Sequence, residues 1–303
     1  MALESDIFLD RKRLKRKLNL WRTLAIVATV FSAIIFSNNL NKDFSSEDHV
    51  AIIKISGIIK NDPDLISLIE KTRDNRSVKA MIVHVNSPGG TIVGGETLHR
   101  ALLRFAEKKP LVAVMGDLAT SAGYMVAIAA DRIFAQNGTI TGSIGVLFQS
   151  AEITTLLSRL GITVETIKSG HLKGTPNPLE KVLPETRAAS RAIVNDMFLM
   201  FTEMVANRRK IDLQQVKILS DGRIFSGRMA LNNGLIDEIG GQREAKIWLE
   251  SERSISKNLP FRVLNSKKDT IGFLQKIGGF ATKLVIPERL TLDGFLSVWH
   301  PND

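Results

Sequence analysis

Val114-Met-Gly-Asp-Leu-Ala-Thr-Ser-Ala-Gly-Tyr-Met-Val-Ala-Ile-Ala-Ala-Asp131 decides how this chain is read. The apolar run Leu111 to Met115 predicts a strand, Gly116-Asp117 a break, and the Ala-rich run from about Thr120 to Ala130 a helix. Ser121 then falls at the break, near the helix N-terminus, flanked by small residues that let a substrate approach. A helix start offers free backbone N–H groups and partial positive charge. Both suit a nucleophile whose reaction generates an oxyanion. The same serine reads equally as an ordinary N-cap.

The surroundings set the class. Upstream, Ala51 to Lys60 predicts a strand and Pro63 to Asp74 a helix, on the spacing of Leu65, Ile66, Leu68 and Ile69. Val78 to Val85 has the pattern of a strand buried on both faces, ending in Asn86-Ser-Pro-Gly-Gly90, read as a turn, with a helix over Gly94 to Lys108. Downstream come strands over Arg132 to Ala135 and Ile144 to Phe148, a helix over Glu152 to Leu160 and a strand over Thr163 to Ile167. An irregular stretch, Gly170 to Leu183, leads to a long helix that Pro184 opens and that runs to about Arg209. Short helices over 212–219 and 226–233, a C-cap at Gly234 and a helix over Gln242 to Arg253 follow. Strands alternating with helices predict an α/β fold with a mostly parallel sheet.

Bulk properties exclude several classes. The 303 residues are 44% hydrophobic and 24% charged, as in a globular chain. Net charge is +10, but residues 1–22 hold seven of the cations. With one tyrosine, no zinc spacing and no basic–aromatic interleaving, nucleic acid is not an expected partner. The absence of cysteine excludes disulfides, thiol catalysis and Cys-ligated metal; neither metal nor cofactor is expected.

Arg11-Lys-Arg-Leu-Lys-Arg-Lys17 precedes Trp21 and an uncharged run, Thr23 to Asn41. That is about the ~20 residues a span requires. Cations ahead of the run keep residues 1–22 cytoplasmic, with Trp21 an interface anchor. A cleaved signal peptide is the competing reading, but no small-residue cleavage site follows the apolar core. The expected layout is a basic N-terminus (1–22), a transmembrane anchor (23–41), a linker (42–49), a catalytic domain (50–253) and a C-terminal extension (254–303).

Two further features bear on chemistry. Gly89-Gly90, after a buried strand and before a helix, lets backbone approach a ligand and offers N–H groups; a plain turn explains it too. A serine nucleophile also needs a base. Of the five histidines, His84 and His99 read as structural, and only His171 competes with Lys173 in Lys168-Ser-Gly-His-Leu-Lys-Gly174. A lysine acts as base only when neutral, and burial is what depresses its ordinary pKa of about 10.4. By itself, Lys173 also reads as a solvated surface lysine.

The run Gly116 to Tyr124, with Ala129-Ala-Asp131 and Thr139-Ile-Thr-Gly-Ser-Ile-Gly-Val146, resembles the signal peptide peptidase A family of serine peptidases. So do Asn86-Ser-Pro-Gly-Gly90, Lys168 to Lys173, Asp221-Gly-Arg223 and Gly234-Leu-Ile-Asp-Glu238, in consistent order over about residues 50–250. The resemblance implies a crotonase-like, ClpP-related α/β fold and a Ser–Lys dyad. Matched by position, Ser121 is the nucleophile and Lys173 the general base. Ser143 orients the lysine, and the backbone N–H groups of Gly90 and Ala122 form the oxyanion hole. One departure stands out: the family's usual Gly-Gly after the serine is Ala122-Gly123 here, which bears on pocket width and backbone freedom. The resemblance further implies hydrolysis of cleaved signal peptides and similar apolar peptides, through an acyl-enzyme. It implies a single-pass protein of the bacterial inner membrane with its catalytic domain outside the cytoplasm. It also implies a homo-oligomeric ring in which serine and lysine come from adjacent protomers. The rivals are a membrane-tethered scaffold that has lost turnover and a crotonase-type acyl-CoA enzyme. The tail, apolar in patches at Phe273, Phe280, Phe295 and Trp299, is expected to need a partner surface or the membrane, with a neighbour's cleft as one berth.

Overall fold

A computed structural model describes residues 17–32, 47–264 and 295–298. The chain divides into two units, Met1–Glu47 and Asp48–Asp303. In the first, residues 17–32 form helix α1. The Thr23 and Thr29 hydroxyls donate to the carbonyls of Asn19 and Ala25, one turn back. Among the described residues no helix is long and apolar enough to cross a membrane. The helix starts ahead of the expected span and takes in Lys17 and Arg22, while residues 33–41 of that span lie outside the described residues.

The second unit is built on a sheet. Its long strands are β1 (His49–Ile59), β2 (Val78–Thr91) and β3 (Leu111–Thr120), with β4 (Arg132–Ala135), β5 (Ile140–Gly142) and β6 (Leu147–Phe148) following. The short strands β7 (Ile224–Ser226), β8 (Glu238–Ile239), β9 (Phe261–Leu264) and β10 (Phe295–Val298) complete it. Among the described residues, pairings β9–β1, β1–β2, β2–β3, β3–β4, β3–β5 and β4–β8 are parallel, and β5–β7, β10–β2 and β10–β6 are antiparallel. The expected mostly parallel α/β sheet is what the chain forms. The helices are α2 (Pro63–Asp74), α3 (Ile92–Ala106), α4 (Ala122–Ala127), α5 (Thr154–Arg159), α6 (Pro184–Arg209), α7 (Leu213–Leu219), α8 (Gly227–Asn232) and α9 (Gln242–Glu252).

Both sheet faces are covered, which explains the near-continuous apolar runs. Ile53, Met81, Val83, Ala113 and Met115 point to the face covered by α2, α3, α4 and α6, among Leu98, Leu102, Phe105, Tyr124 and Phe201. Their alternates Ile52, Ile82, Val112 and Val114 point to the other face, with Phe134 and with Ala245 and Leu249 of α9. Successive residues of a strand face opposite ways, so one run feeds two cores.

Five expectations are corrected. Asn86 to Gly90 is not a turn, because β2 continues to Thr91. Pro88, which has no N–H to give, falls in the register shift of the β1–β2 ladder, between Asn86 and Gly89, and just past the last β2–β3 pair at Ser87, so it is paired in neither ladder. The break at Gly116-Asp117 does not end β3 either. The strand changes partner there, leaving β4 after Val114 and joining β5 from Leu118. The helix after it is shorter than expected, starting at Ala122 and closing at Ala127. Of the strand expected over Ile144 to Phe148 only Leu147–Phe148 (β6) forms, with β5 lying ahead of it, and Thr163 to Ile167 forms no strand. Ile167 is 94% exposed and has no sheet edge to join, and a strand without a ladder partner has nothing to satisfy its backbone.

Candidate active site

Ser121 sits between the end of β3 and the first turn of α4, as the sequence predicts, but not as a cap. Its side chain makes no capping bond, and its backbone lies at φ 57°, ψ −120°. A positive φ at a non-glycine residue costs on the order of 1–3 kcal/mol and must be held by its surroundings. Here the Ser121 N–H donates to the Gly142 carbonyl at 2.8 Å. Thr141 Oγ1 donates to the Ala119 carbonyl at 2.7 Å, and Thr139 Oγ1 to that of Gly116 at 2.8 Å. The hydroxyls of Thr139-Ile-Thr141 thus rivet β5 to β3 and fix the serine's strand.

Ser143 follows the residue that holds Ser121. It too has a positive φ, 48°, and its N–H donates to the Arg223 carbonyl at 2.9 Å. The register of β3 on β5, Thr120 opposite Gly142, brings the two serines side by side. Arg223 is set by Asp221, which accepts from both its backbone N–H and its guanidinium. That hydrogen bonding holds the Asp221 carboxyl at about 2.

Gly89 and Gly90 lie on the other side. Ser87 pairs with Ala119, and Thr120 Oγ1 donates to the Pro88 carbonyl at 3.0 Å. The glycines therefore flank the strand end that carries Ser121. Gly89 has φ 116°, which side chains disfavour, and a Cβ at Gly90 would lie 1.8 Å from the Ile59 carbonyl oxygen. Their identity is fixed by backbone geometry and close approach to β1. Asn86 Oδ1 accepts from the Leu118 N–H at 3.1 Å, and Ser87 Oγ donates to the Gly57 carbonyl at 2.6 Å. Strand β10 runs antiparallel along this edge, Val298 opposite Gly89, Ser297 opposite Gly90 and Leu296 opposite Thr91, with β6 on its far side.

Helix α4 is anchored along its length. Tyr124 Oη donates to the Leu235 carbonyl at 2.8 Å. His99 Nδ1 lies 2.7 Å from the Met125 carbonyl, so Nδ1 carries the proton. Burial pushes His99 down to about 4; the Met125 bond opposes that and the charge of Arg208 adds to it. Arg208 donates to the carbonyls of Ile128, Ala129 and Ala130, the last acceptors after the helix. Arg209 clasps Asp237, whose carboxylate also accepts from the Ile133 N–H. This clamp was not read from the sequence. Two arginines in the last turn of a long helix were a visible signal, but backbone carbonyls leave none.

The methyl of Ala122 is fully buried and faces α3 at Gly95, not the cleft. It narrows no pocket. Lys173 is placed differently. It is exposed, in a segment without regular structure, and its N–H donates to the Gly170 carbonyl at 2.9 Å. An ion pair between Lys168 and Glu180 ties the two ends of the segment, and that bond holds the Glu180 carboxyl below its usual range. Among the described residues, Lys173 Nζ is bonded to neither Ser121 nor Ser143. His171 is exposed beside it. The fold brings together Ser121, Ser143, Gly90 and Ala122; it does not bring Lys173 to them by any hydrogen bond.

The model of peptidase family S49 matches residues 104–256. A provisionally named protease of Synechocystis sp. is 34% identical over 67% of this chain and 74% of its own length. A protein of Enterococcus faecium, provisionally named signal peptide peptidase SppA, is 33% identical over 70% of this chain and 61% of its own. The chloroplastic serine protease SPPA of Arabidopsis thaliana is 28% identical over 82% of this chain, which spans 39% of that protein.

Proposed function

Because the chain belongs to peptidase family S49 and is a serine peptidase of the signal peptide peptidase A type, we propose that Ser121 is its nucleophile and Lys173 its general base. Neutral Lys173 takes the Ser121 Oγ proton as Oγ attacks the scissile carbonyl. The N–H groups of Gly90 and Ala122 hold the oxyanion, and Lys173 returns the proton to the leaving amine. Water then attacks the acyl-enzyme by the same route, with Ser143 orienting the lysine. One observation carries the peptide reading: the Gly89–Thr91 edge beside Ser121 accepts an extended chain as an antiparallel strand, here the protein's own β10. Strand addition of that kind binds peptide main chain through ladder bonds and leaves alternate side chains for pockets.

The setting follows the same reading. Residues 23–41 anchor the chain in the bacterial inner membrane, with the catalytic unit outside the cytoplasm and apolar signal peptides as substrates. Support comes from the uncharged run and the cations ahead of it. The protomers form a ring in which Lys173 reaches a neighbour's Ser121. Its support is the exposure of Lys173 together with Leu156, Leu160 and Ile167 on the same stretch.

The test is fluorophosphonate labelling of the assembled protein, with mass spectrometry of products from a synthetic signal peptide. S121A abolishes labelling and cleavage, and K173A reduces both by at least ~10³-fold. Labelling that survives S121A removes the nucleophile assignment. Unchanged cleavage by K173A, with loss in His171→Ala, moves the base to His171. No labelling of the assembled wild type favours a scaffold without turnover.

A further inference from the structure

We propose that Gly95, on the helix behind the nucleophile, is a positioning residue that sets the place of the Ala122 N–H. The proposal rests on Ser121 and that N–H acting as described above. Gly95 is buried in the first turns of α3. A Cβ on it would lie 3.1 Å from the Ala122 Cβ, 3.5 Å from the Ala122 Cα and 2.9 Å from Met125 Sδ. Ala122 and Met125 are themselves fully buried, in an interior where voids are few.

Helix α4 also cannot move away as a body. On its far side, the Cβ position of Gly123 is 3.0 Å from the Ser87 carbonyl oxygen. Tyr124, Met125 and the three carbonyls after the helix are held by hydrogen bonds. The space between α3 and the start of α4 therefore holds one methyl group, and in this chain it belongs to Ala122. A second methyl at position 95 would push on Ala122, and its N–H would leave the place where a developing oxyanion needs it. Relief of the 3.1 Å contact needs a shift of a few tenths of an ångström, a fraction of the ~1 Å misplacement that costs up to roughly 100-fold in rate. A glycine at 95 is thus what allows an alanine at 122.

The experiment measures the rate of fluorophosphonate labelling at Ser121 in the assembled wild type and in S121A, G95A, G95A/A122G and G95A/M125A. Thermal melts and gel filtration are run in parallel. G95A is expected to label at least ~10-fold more slowly, and G95A/A122G to recover most of the rate, because one methyl again fills the space. Labelling of G95A within twofold of wild type overturns the proposal, as does failure of A122G to restore it. Recovery by M125A but not by A122G assigns the clash to Met125 and overturns it too. If G95A does not fold, the double variant decides: folded and labelled supports the proposal, unfolded overturns it. A wild type that does not label, or an S121A that does, removes the nucleophile reading itself. Normal Ser121 labelling with an indifferent G95A removes only the role of Gly95.

Discussion

The segment that presents Ser121 and the one that presents Lys173 are built in opposite ways. Around Ser121, β2, β3, β5, α3 and α4 bury most of their residues, and the hydroxyls of Ser87, Thr120, Thr139 and Thr141 are spent on backbone carbonyls. Residues 149–183 contain one short helix, no strand and a succession of exposed apolar side chains, with Ile167 almost wholly in solvent. A chain that folds one half of a proposed dyad to core density leaves the other half on a surface that lacks a core. Burial is what makes a lysine neutral. A second copy of the chain covering this stretch would supply order and desolvation together.

The strongest way to break that contrast is to separate the halves. S121A and K173A, each inactive alone, are co-refolded in equal amounts. If serine and lysine meet across a head-to-tail interface, about a quarter of the sites carry both intact residues, and about a quarter of wild-type cleavage returns. Peptide hydrolysis that stays at the single-variant level would place both residues in one chain.

The next test compares packing. Phe105→Ala, in the fully buried cluster behind Ser121, is expected to cost about 3–5 kcal/mol in urea unfolding. Ile167→Ala is expected to stay within about 0.5 kcal/mol for the dissociated chain, while Ile167→Asp shifts gel filtration toward smaller species. A large loss of monomer stability from Ile167→Ala would show that the stretch has a core of its own.

The smallest expected effect is in pH. His99 is held down to about 4 in the fold, chiefly by burial, against an ordinary value near ~6.5. The unfolded chain therefore binds the proton first. Stability contributed by neutral His99 is complete above about pH 6.5 and is lost as pH falls toward about 4, where the folded state protonates as well. The loss is at most on the order of 3 kcal/mol, since 1.36 kcal/mol corresponds to one pH unit. Melting temperatures between pH 7 and 4.5 should fall more steeply for wild type than for His99→Asn. Parallel slopes would mean that His99 does not titrate in this window.

Much of the frame was legible because its signals are local. The helix over Pro63–Asp74 and the long helix over Pro184–Arg209 have a proline at the start and helical spacing, and both appear with the bounds the sequence indicates. The parallel sheet followed from strands alternating with helices, and the two-sided burial of β2 from the continuous apolar run Val78 to Val85. Errors gathered where pairing overrides local preference: β2 through Pro88, β3 through Gly116-Asp117, and the strand that never forms at Thr163 to Ile167. Local chemistry names the residues that tend to turn, but a ladder partner decides whether they do.

By itself, the sequence determined the family, the α/β class and the residues to examine: Ser121, Ser143, Gly90, Ala122 and Lys173. Those follow from residue identity and order along the chain. Only the tertiary structure decided that Ser121 is a strained junction rather than a cap, and that the Ala122 methyl faces Gly95. Only it revealed that His99 and Arg208 hold the nucleophile's helix by carbonyls in and just after it, and that Tyr124 ties the helix to the Leu235 carbonyl. These depend on which backbone atoms meet across the fold, and a carbonyl oxygen is the same in every residue, so the sequence carries no mark of where one is needed.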